Sequence, residues 1–273
     1  MRSIHLFLFG MLIVMIVACT EKTAEQNTED ETTSEEEMRP EVTALPLVEK
    51  IEAAHEVSQF KQKDAVQFDI ELFFGGSKRL EGVITSTTNS TRVKVEKANG
   101  QVIGYDGQQV WMSPADAQTG GARFDIFTWQ YFFMAPFKFS DPGANWESLE
   151  DMMLDGEAHA TAKLTFDAGT GDAPDDWYIA YKDKSTDMLD ALAYIVTFGK
   201  TQEKAEEEPH AITYHNYEEV EGVPIAKKWK FWLWTEEKGV HQQLGEANIS
   251  NVKFVKVNDA DFQAPESSQE VSR

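Results

Sequence analysis

Between residues 66 and 74, apolar side chains fall on every second position: Val66, Phe68, Ile70, Leu72 and Phe74, with Gln67, Asp69 and Glu71 between them. Successive side chains of an extended chain point to opposite faces, so this alternation predicts a strand with one face in a core and the other toward water. The signature recurs downstream. Gly75-Gly76 turns the chain into a strand over 80–85, and Arg92 to Glu96 alternates again with Val93 and Val95 inward. Segments 102–105 and 109–112 flank Asp106-Gly107, a two-residue hairpin turn. Further strands are predicted near Ala162 to Phe166, Trp177 to Tyr181 and Leu192 to Val196. An acidic loop, 203–208, then leads to strands over 212–217, 225–234 and 246–257. Glu221-Gly222 supplies another turn, and the step from Ile249 to Val252 and Phe254 marks a bulge. The chain is therefore mainly β, an α+β meander of short antiparallel strands. It has no repeat of fixed period and no linker inside residues 60–265, which favours one domain over 45–266 with a disordered tail at 267–273.

Two segments depart from period two. Pro46 suits a first helical position, and Leu47, Ile51, Ala54 and His55 recur at helical spacing up to about Phe60. Residues 123–139 are the stronger departure. Phe124, Phe127 and Tyr131 fall on one helical stripe and Ile126, Trp129 and Phe133 on another, with Phe132 and Phe137 beside them. A helix apolar around most of its circumference requires burial on several sides. Pro136 and Asp141-Pro142-Gly143 end it.

The N-terminus has a different character. An apolar run from Leu6 to Val17 follows Arg2, and Ile16-Val17-Ala18 precedes Cys19, the single cysteine of the chain. The run is shorter than the roughly 20 residues a membrane-spanning helix needs. It fits a signal peptide, 1–18, and the four residues ending at Cys19 resemble the lipobox of bacterial lipoproteins, which makes Cys19 the lipid-attachment site. One buried methylene is worth roughly 0.8 kcal/mol, so stable residence at a membrane takes more than one acyl chain, such as palmitate. Residues 19–44 are dominated by Glu, Thr, Asp and Ser and form an acidic flexible tether. A lone cysteine also excludes an intrachain disulfide.

The chain carries a formal charge of −22, of which residues 41–273 hold −17. Acidity of this extent excludes nucleic acid as a partner and disfavours peripheral attraction to anionic headgroups. The partners that remain are a membrane, reached through N-terminal acyl chains, and a hydrophobic or lipid ligand.

Chemical motifs are weak, and no catalytic residue is assigned. Ser58-Gln59-Phe60-Lys61 matches the Ser-x-x-Lys pattern of penicillin-recognising enzymes, but the companion Ser-Asp-Asn and Lys-Thr-Gly motifs are absent. Neither a Gly-x-Ser-x-Gly elbow nor a phosphate-cradling glycine loop occurs. The histidines outside the signal, His55, His159, His210, His215 and His241, form no His-Glu-x-x-His pair. His210 and His215 would point to opposite faces of a strand. Asp172, Asp175 and Asp176 lack the ordered spacing of a calcium loop. No cofactor and no metal is assigned.

From about residue 60 to 265 the organisation resembles the superfamily of the periplasmic lipoprotein carrier and its outer-membrane receptor (LolA/LolB-type). It is similar, more narrowly, to an uncharacterised family of Gram-negative envelope lipoproteins, some of which bear a heat-shock label. The resemblance is carried by Asp176-Trp177-Tyr178-Ile179 with Asp183 and Thr186, by Tyr214 and Tyr217, by Val220-Glu221-Gly222-Val223-Pro224 leading to Lys228 and Trp229, and by Asp259-Ala260-Asp261-Phe262. It implies a strongly curved antiparallel sheet or incomplete barrel with helices over the concave side, the aromatic helix serving as a plug. It also implies a lipid-anchored protein of the cell envelope, at the outer membrane and facing periplasm or cell surface.

Two functions follow. One is a non-catalytic binding module for an acyl chain or other hydrophobic ligand, lined by Phe127, Tyr131, Phe133, Trp177, Trp229 and Phe231, with Trp111, Trp129 and Tyr181 as further candidates. The alternative is a structural or interaction lipoprotein whose aromatics are simply core. A cavity of several hundred cubic ångströms would favour the first, close packing the second.

Overall fold

Alternation in the first strand has the predicted outcome: in β1 (Ala65–Phe74), Val66, Phe68, Ile70 and Leu72 are buried while Gln67, Asp69 and Glu71 are half-buried. The computed structural model describes residues 45–272, so the signal segment, Cys19 and the acidic tether lie outside the described residues. From β1 the chain meanders through β2 (Ser77–Thr87), β3 (Val93–Lys97), β4 (Val102–Tyr105) and β5 (Val110–Ser113). After a helical segment come β6 (Ala144–Ser148), β7 (Met152–Leu154), β8 (Glu157–Phe166), β9 (Tyr178–Lys182) and β10 (Leu189–Tyr194). The long strands β11 (His210–Val220), β12 (Val223–Thr235) and β13 (Gly239–Val255) follow, and the two-residue β14 (Gln269–Glu270) ends the chain. All pair antiparallel in the order 14-5-4-3-2-1-13-12-11-10-9-8-6, with β7 on β8. The sheet is large and open, curved without closing into a barrel. Pairing of β1 with β13 joins the two ends of the meander at its centre.

The turns follow backbone chemistry. At Glu221-Gly222, φ is +48° and +82°, and at Gly75-Gly76 it is +58° and +78°. Two successive left-handed residues match the right-handed twist of the flanking strands. At 106–109 the hairpin forms one residue later than predicted, centred on Gly107-Gln108, because Asp106 Oδ1 accepts from the backbone N–H of Gln108 and Gln109 at 2.8 and 2.9 Å. The bulge in the last strand lies at Asn251 (φ +50°), where the register against β1 slips between Gln67 and Asp69.

Four expectations need correction. The first helix breaks into α1 (Pro46–Ala54) and α2 (Val57–Phe60), since Glu56 is left-handed at φ +52°. Strands β6 and β7 were not predicted: β6 alternates over only five residues around Trp146, and β7 is three residues with no polar position. The aromatic helix is α3 (Ala122–Met134), and the 203–208 loop contains a further short helix, α4 (Gln202–Glu206). Thr201 caps α4 by accepting from the Lys204 N–H, and Ala205 is buried beneath it. The tail at 267–273 is not wholly disordered: β14 lies along β5, the Val271 N–H donates to Val110 O at 2.8 Å, and Val271 is buried. An uncovered β5 edge would leave unpaired backbone groups, and β14 occupies them.

Apolar side chains collect on both faces of the sheet. The larger cluster lies on the inner face, under α1, α2 and α3, and includes Phe60, Phe68, Trp129, Phe133, Trp229 and Phe231. A smaller one on the outer face includes Leu154, Trp177, Tyr181, Ala205 and Trp234, beneath β7 and α4.

Candidate functional site

The aromatic segment forms α3, continued by a tight 3-10 turn at Ala135–Phe137. From Gly121 to Phe139 no residue is exposed, which is the all-round burial its composition requires. Its N-terminal end is tied down by Asp125, whose side chain is 2% exposed. Asp125 accepts from Arg79 Nη2 at 2.7 Å, from Lys97 Nζ at 2.9 Å and from Trp129 Nε1 at 3.1 Å. A carboxylate in the first turn also suits the positive end of the helix dipole. At the other end the Tyr214 hydroxyl donates to Phe132 O at 3.0 Å, satisfying a carbonyl near the helix terminus.

Between these ties the contacts are aromatic. Phe133 stacks on Phe68 with ring centroids 4.1 Å apart, and Trp129 and Phe132 each meet Phe231 at 5.9 Å. Tyr131 lies 5.2 Å from Tyr178, and Phe127 lies 5.1 Å from Tyr105. Trp229 is 1% exposed and meets Tyr214 edge-on. Beyond the helix, Phe137 stacks on Phe60 at 3.8 Å. Half-buried Phe124 reaches Phe198, which is 45% exposed, so the aromatic seam continues to the surface. The space left near Phe132, Phe133, Phe137 and Trp229 is about 10 Å³, room for one water at most.

The structure brings Phe127, Tyr131, Phe133, Trp229 and Phe231 into one cluster but not Trp177. Strand alternation separates them: Tyr178 faces the inner side and its neighbour Trp177 the outer, where it meets Trp234 at 6.2 Å. Tyr181 is on the outer side by the same parity, and Trp111 donates its Nε1–H to Phe262 O at 2.8 Å, its ring lying over Gly104.

Burial leaves its mark on the polar groups here. It pushes the Tyr131, Tyr178, Tyr194 and Tyr214 hydroxyls above their ordinary range, and it lowers His55 to about 4. His55 Nδ1 faces Ile51 O at 2.8 Å, and its Nε2 lies 3.3 Å from the Tyr217 hydroxyl.

The remaining sequence candidates serve local structure. Ser58 is exposed, and Lys61 reaches Asp141. His210 stacks on Tyr194, whereas His215 bonds Thr213 Oγ1 at 2.8 Å. Asp172 pairs with Arg123, and Asp176 accepts from both the N–H and hydroxyl of Thr197. Sequence spacing did not reveal the Asp125–Arg79–Lys97 cluster, nor the grouping of His159, Asp183 and Asp190, whose candidate ligand atoms lie within 4.8 Å of one another. His159 Nε2 is 2.9 Å from Asp190, while Asp183 is held well below the usual carboxylate range by the Ser185 and Thr186 hydroxyls and N–H groups that cap its turn.

The open curved sheet has a counterpart among solved structures. A LolA superfamily protein from Nitrosomonas europaea superposes with a TM-score of 0.53 at 15% identity, covering 82% of this chain and 98% of that one. The fold is of the LolA type. A DUF1329 family protein from Desulfovibrio piger reaches a TM-score of 0.49 at 13% identity, over 81% of this chain and 98% of its own. No protein-family model matches the chain, and no curated protein matches it either.

Proposed function

We propose that this chain is a lipid-anchored, non-catalytic protein of the Gram-negative envelope that binds an acyl chain or other apolar ligand on the inner face of its sheet, in exchange with α3. The observation that carries this reading is the covering of that face. One helical segment, tied by Asp125 at one end and Tyr214 at the other, lies over Phe68, Tyr178, Trp229 and Phe231. Displacing it would uncover a continuous apolar surface without breaking a strand pairing. The LolA-type fold supports the reading, and Phe127, Tyr131, Phe133, Trp229 and Phe231 are its proposed contacts. Trp177 is withdrawn from the set. No helix among the described residues is long and apolar enough to cross a membrane, and attachment is assigned to Cys19 on the strength of its lipobox.

A second reading is favoured by the cavity criterion, since only about 10 Å³ is free beside the aromatic cluster: the inner face is then a finished core, and function lies on the surface. Titrating the full-length chain with a fluorescent long-chain fatty acid separates the two. Saturable binding with a change in tryptophan emission, weakened by Phe133→Ala, supports the exchange. No binding at any concentration, with Phe133→Ala affecting stability alone, supports the closed core. For the anchor, Cys19→Ala should release the protein from the detergent phase, and unchanged partitioning would refute lipidation.

A further inference from the structure

A cleft with a charged lining lies away from the aromatic cluster. It measures about 480 Å³ and lies where the segment between α2 and β1 meets the turn between β2 and β3. Lys61, Lys63 and Arg92 line it, in a chain whose residues 41–273 carry −17. Asp64 and Asp141 line it too, so the site is mixed in charge with cations in excess.

Two features of the cleft call for a ligand. The Nε of Arg92, one of its lining residues, is buried and makes no hydrogen bond. Buried donors are almost always paired, by protein, water or a bound ion. The second feature is the exposure of the cations' present partners. Lys61 stands 3.4 Å from Asp141, Lys63 pairs with Glu221 at 2.6 Å, and Arg92 Nη2 pairs with Asp259 at 3.1 Å. The Glu221 and Asp259 side chains are 54% and 78% exposed, so those pairs contribute little and the carboxylates can return to water. An incoming oxyanion would exchange exposed surface pairs for a cleft lined by three cations.

From this we infer that the cleft is a binding site for a phosphate ester, its phosphoryl oxygens meeting Arg92, Lys63 and Lys61. A guanidinium fork flanked by ammonium groups matches phosphate oxygens in geometry and charge. The cleft volume fits a glycerophosphate-sized group rather than a bare ion. That group can be a free phosphate ester or the headgroup of a phospholipid. The site stands apart from the apolar-ligand reading, since occupancy requires no movement of α3.

The test uses the full-length protein in a nonionic detergent, titrated calorimetrically with glycerol 3-phosphate and, separately, with monomeric dihexanoyl-phosphatidylglycerol. The expected result is binding that weakens with salt and falls roughly tenfold or more in Arg92→Ala and in Lys63→Ala. Arg92→Lys, which keeps the charge and loses the fork, should weaken it less. Lys204→Ala, remote from the cleft, should not alter it. Binding of glycerol 3-phosphate alone assigns a free phosphate ester, binding of the phospholipid alone assigns a headgroup, and equal binding of both supports recognition of the phosphate they share. Absence of binding to either, or binding unmoved by the Arg92 and Lys63 substitutions while circular dichroism reports a folded chain, overturns the proposal.

Discussion

The two aromatic clusters share one sheet and differ in how completely they are finished. On the outer face every indole has a partner: Trp177 Nε1 donates to Glu206 at 3.1 Å and Trp234 Nε1 to the Tyr181 hydroxyl at 2.8 Å, which itself donates to Met152 Sδ. On the inner seam, Gln130 Oε1 in α3 and His210 Nδ1 beside Tyr194 are buried without a hydrogen bond. A fully satisfied network fixes one arrangement, whereas unpaired buried groups cost stability and mark where a structure rearranges or takes a ligand. The outer cluster therefore behaves as core. In the proposed exchange the inner one is a surface held closed by its own helix.

Truncation should separate the faces most sharply. Trp234→Ala removes a side chain that is 5% exposed and strips the Tyr181 hydroxyl of its donor, so urea unfolding should show a loss of about 3–5 kcal/mol with acyl-probe affinity unchanged. Phe133→Ala should cost about 3 kcal/mol, because α3 can settle toward the space left on Phe68, and it should also change probe affinity. Equal effects of the two substitutions on the probe would erase the distinction between the faces.

Acid should act on the inner face. Folded His55 takes a proton near pH 4 because burial disfavours its charge, against 6.5 ordinarily. Between those values the unfolded chain binds more protons, so stability is retained above about pH 6.5 and lost as pH falls toward 4, by up to about 3 kcal/mol. Unfolding free energies at pH 7 and pH 4.5 should converge between wild type and His55→Gln at the acid end. A constant gap would remove His55 from the account. A comparable effect is expected for Asp125→Ala, about 3 kcal/mol, since Lys97, 17% exposed, and the buried Trp129 Nε1–H lose their acceptor. Its signature is tighter acyl-probe binding through easier release of α3; weaker binding would contradict that role for the ion cluster.

Much of this architecture was legible because periodicity is local. Val66 to Phe74, Gly75-Gly76 and Glu221-Gly222 each announce their backbone within a few residues, and the aromatic run announces a helix needing cover on all sides. Edge elements were not legible: β6 and β7 have one solvated side and little alternation, and β14 depends on the vacant edge of β5. Membership of the inner cluster was half legible. Phe133 and Phe231 were placed by their stripes, but Trp177 was assigned by residue type where strand parity decides. The Asp125 cluster, drawn from positions 79, 97 and 125, exists only once β2, β3 and α3 are assembled, so no spacing rule finds it.

The central claim is that α3 is exchangeable cover, and hydrogen exchange on the full-length chain tests it directly. Amides of residues 122–137 should exchange faster than those of the β11–β12 pairing, and a long-chain fatty acid should accelerate them further while leaving β11 and β12 protected. Amides in 122–137 protected as strongly as those strands, and unmoved by saturating fatty acid, would contradict the claim and leave the inner face a closed core.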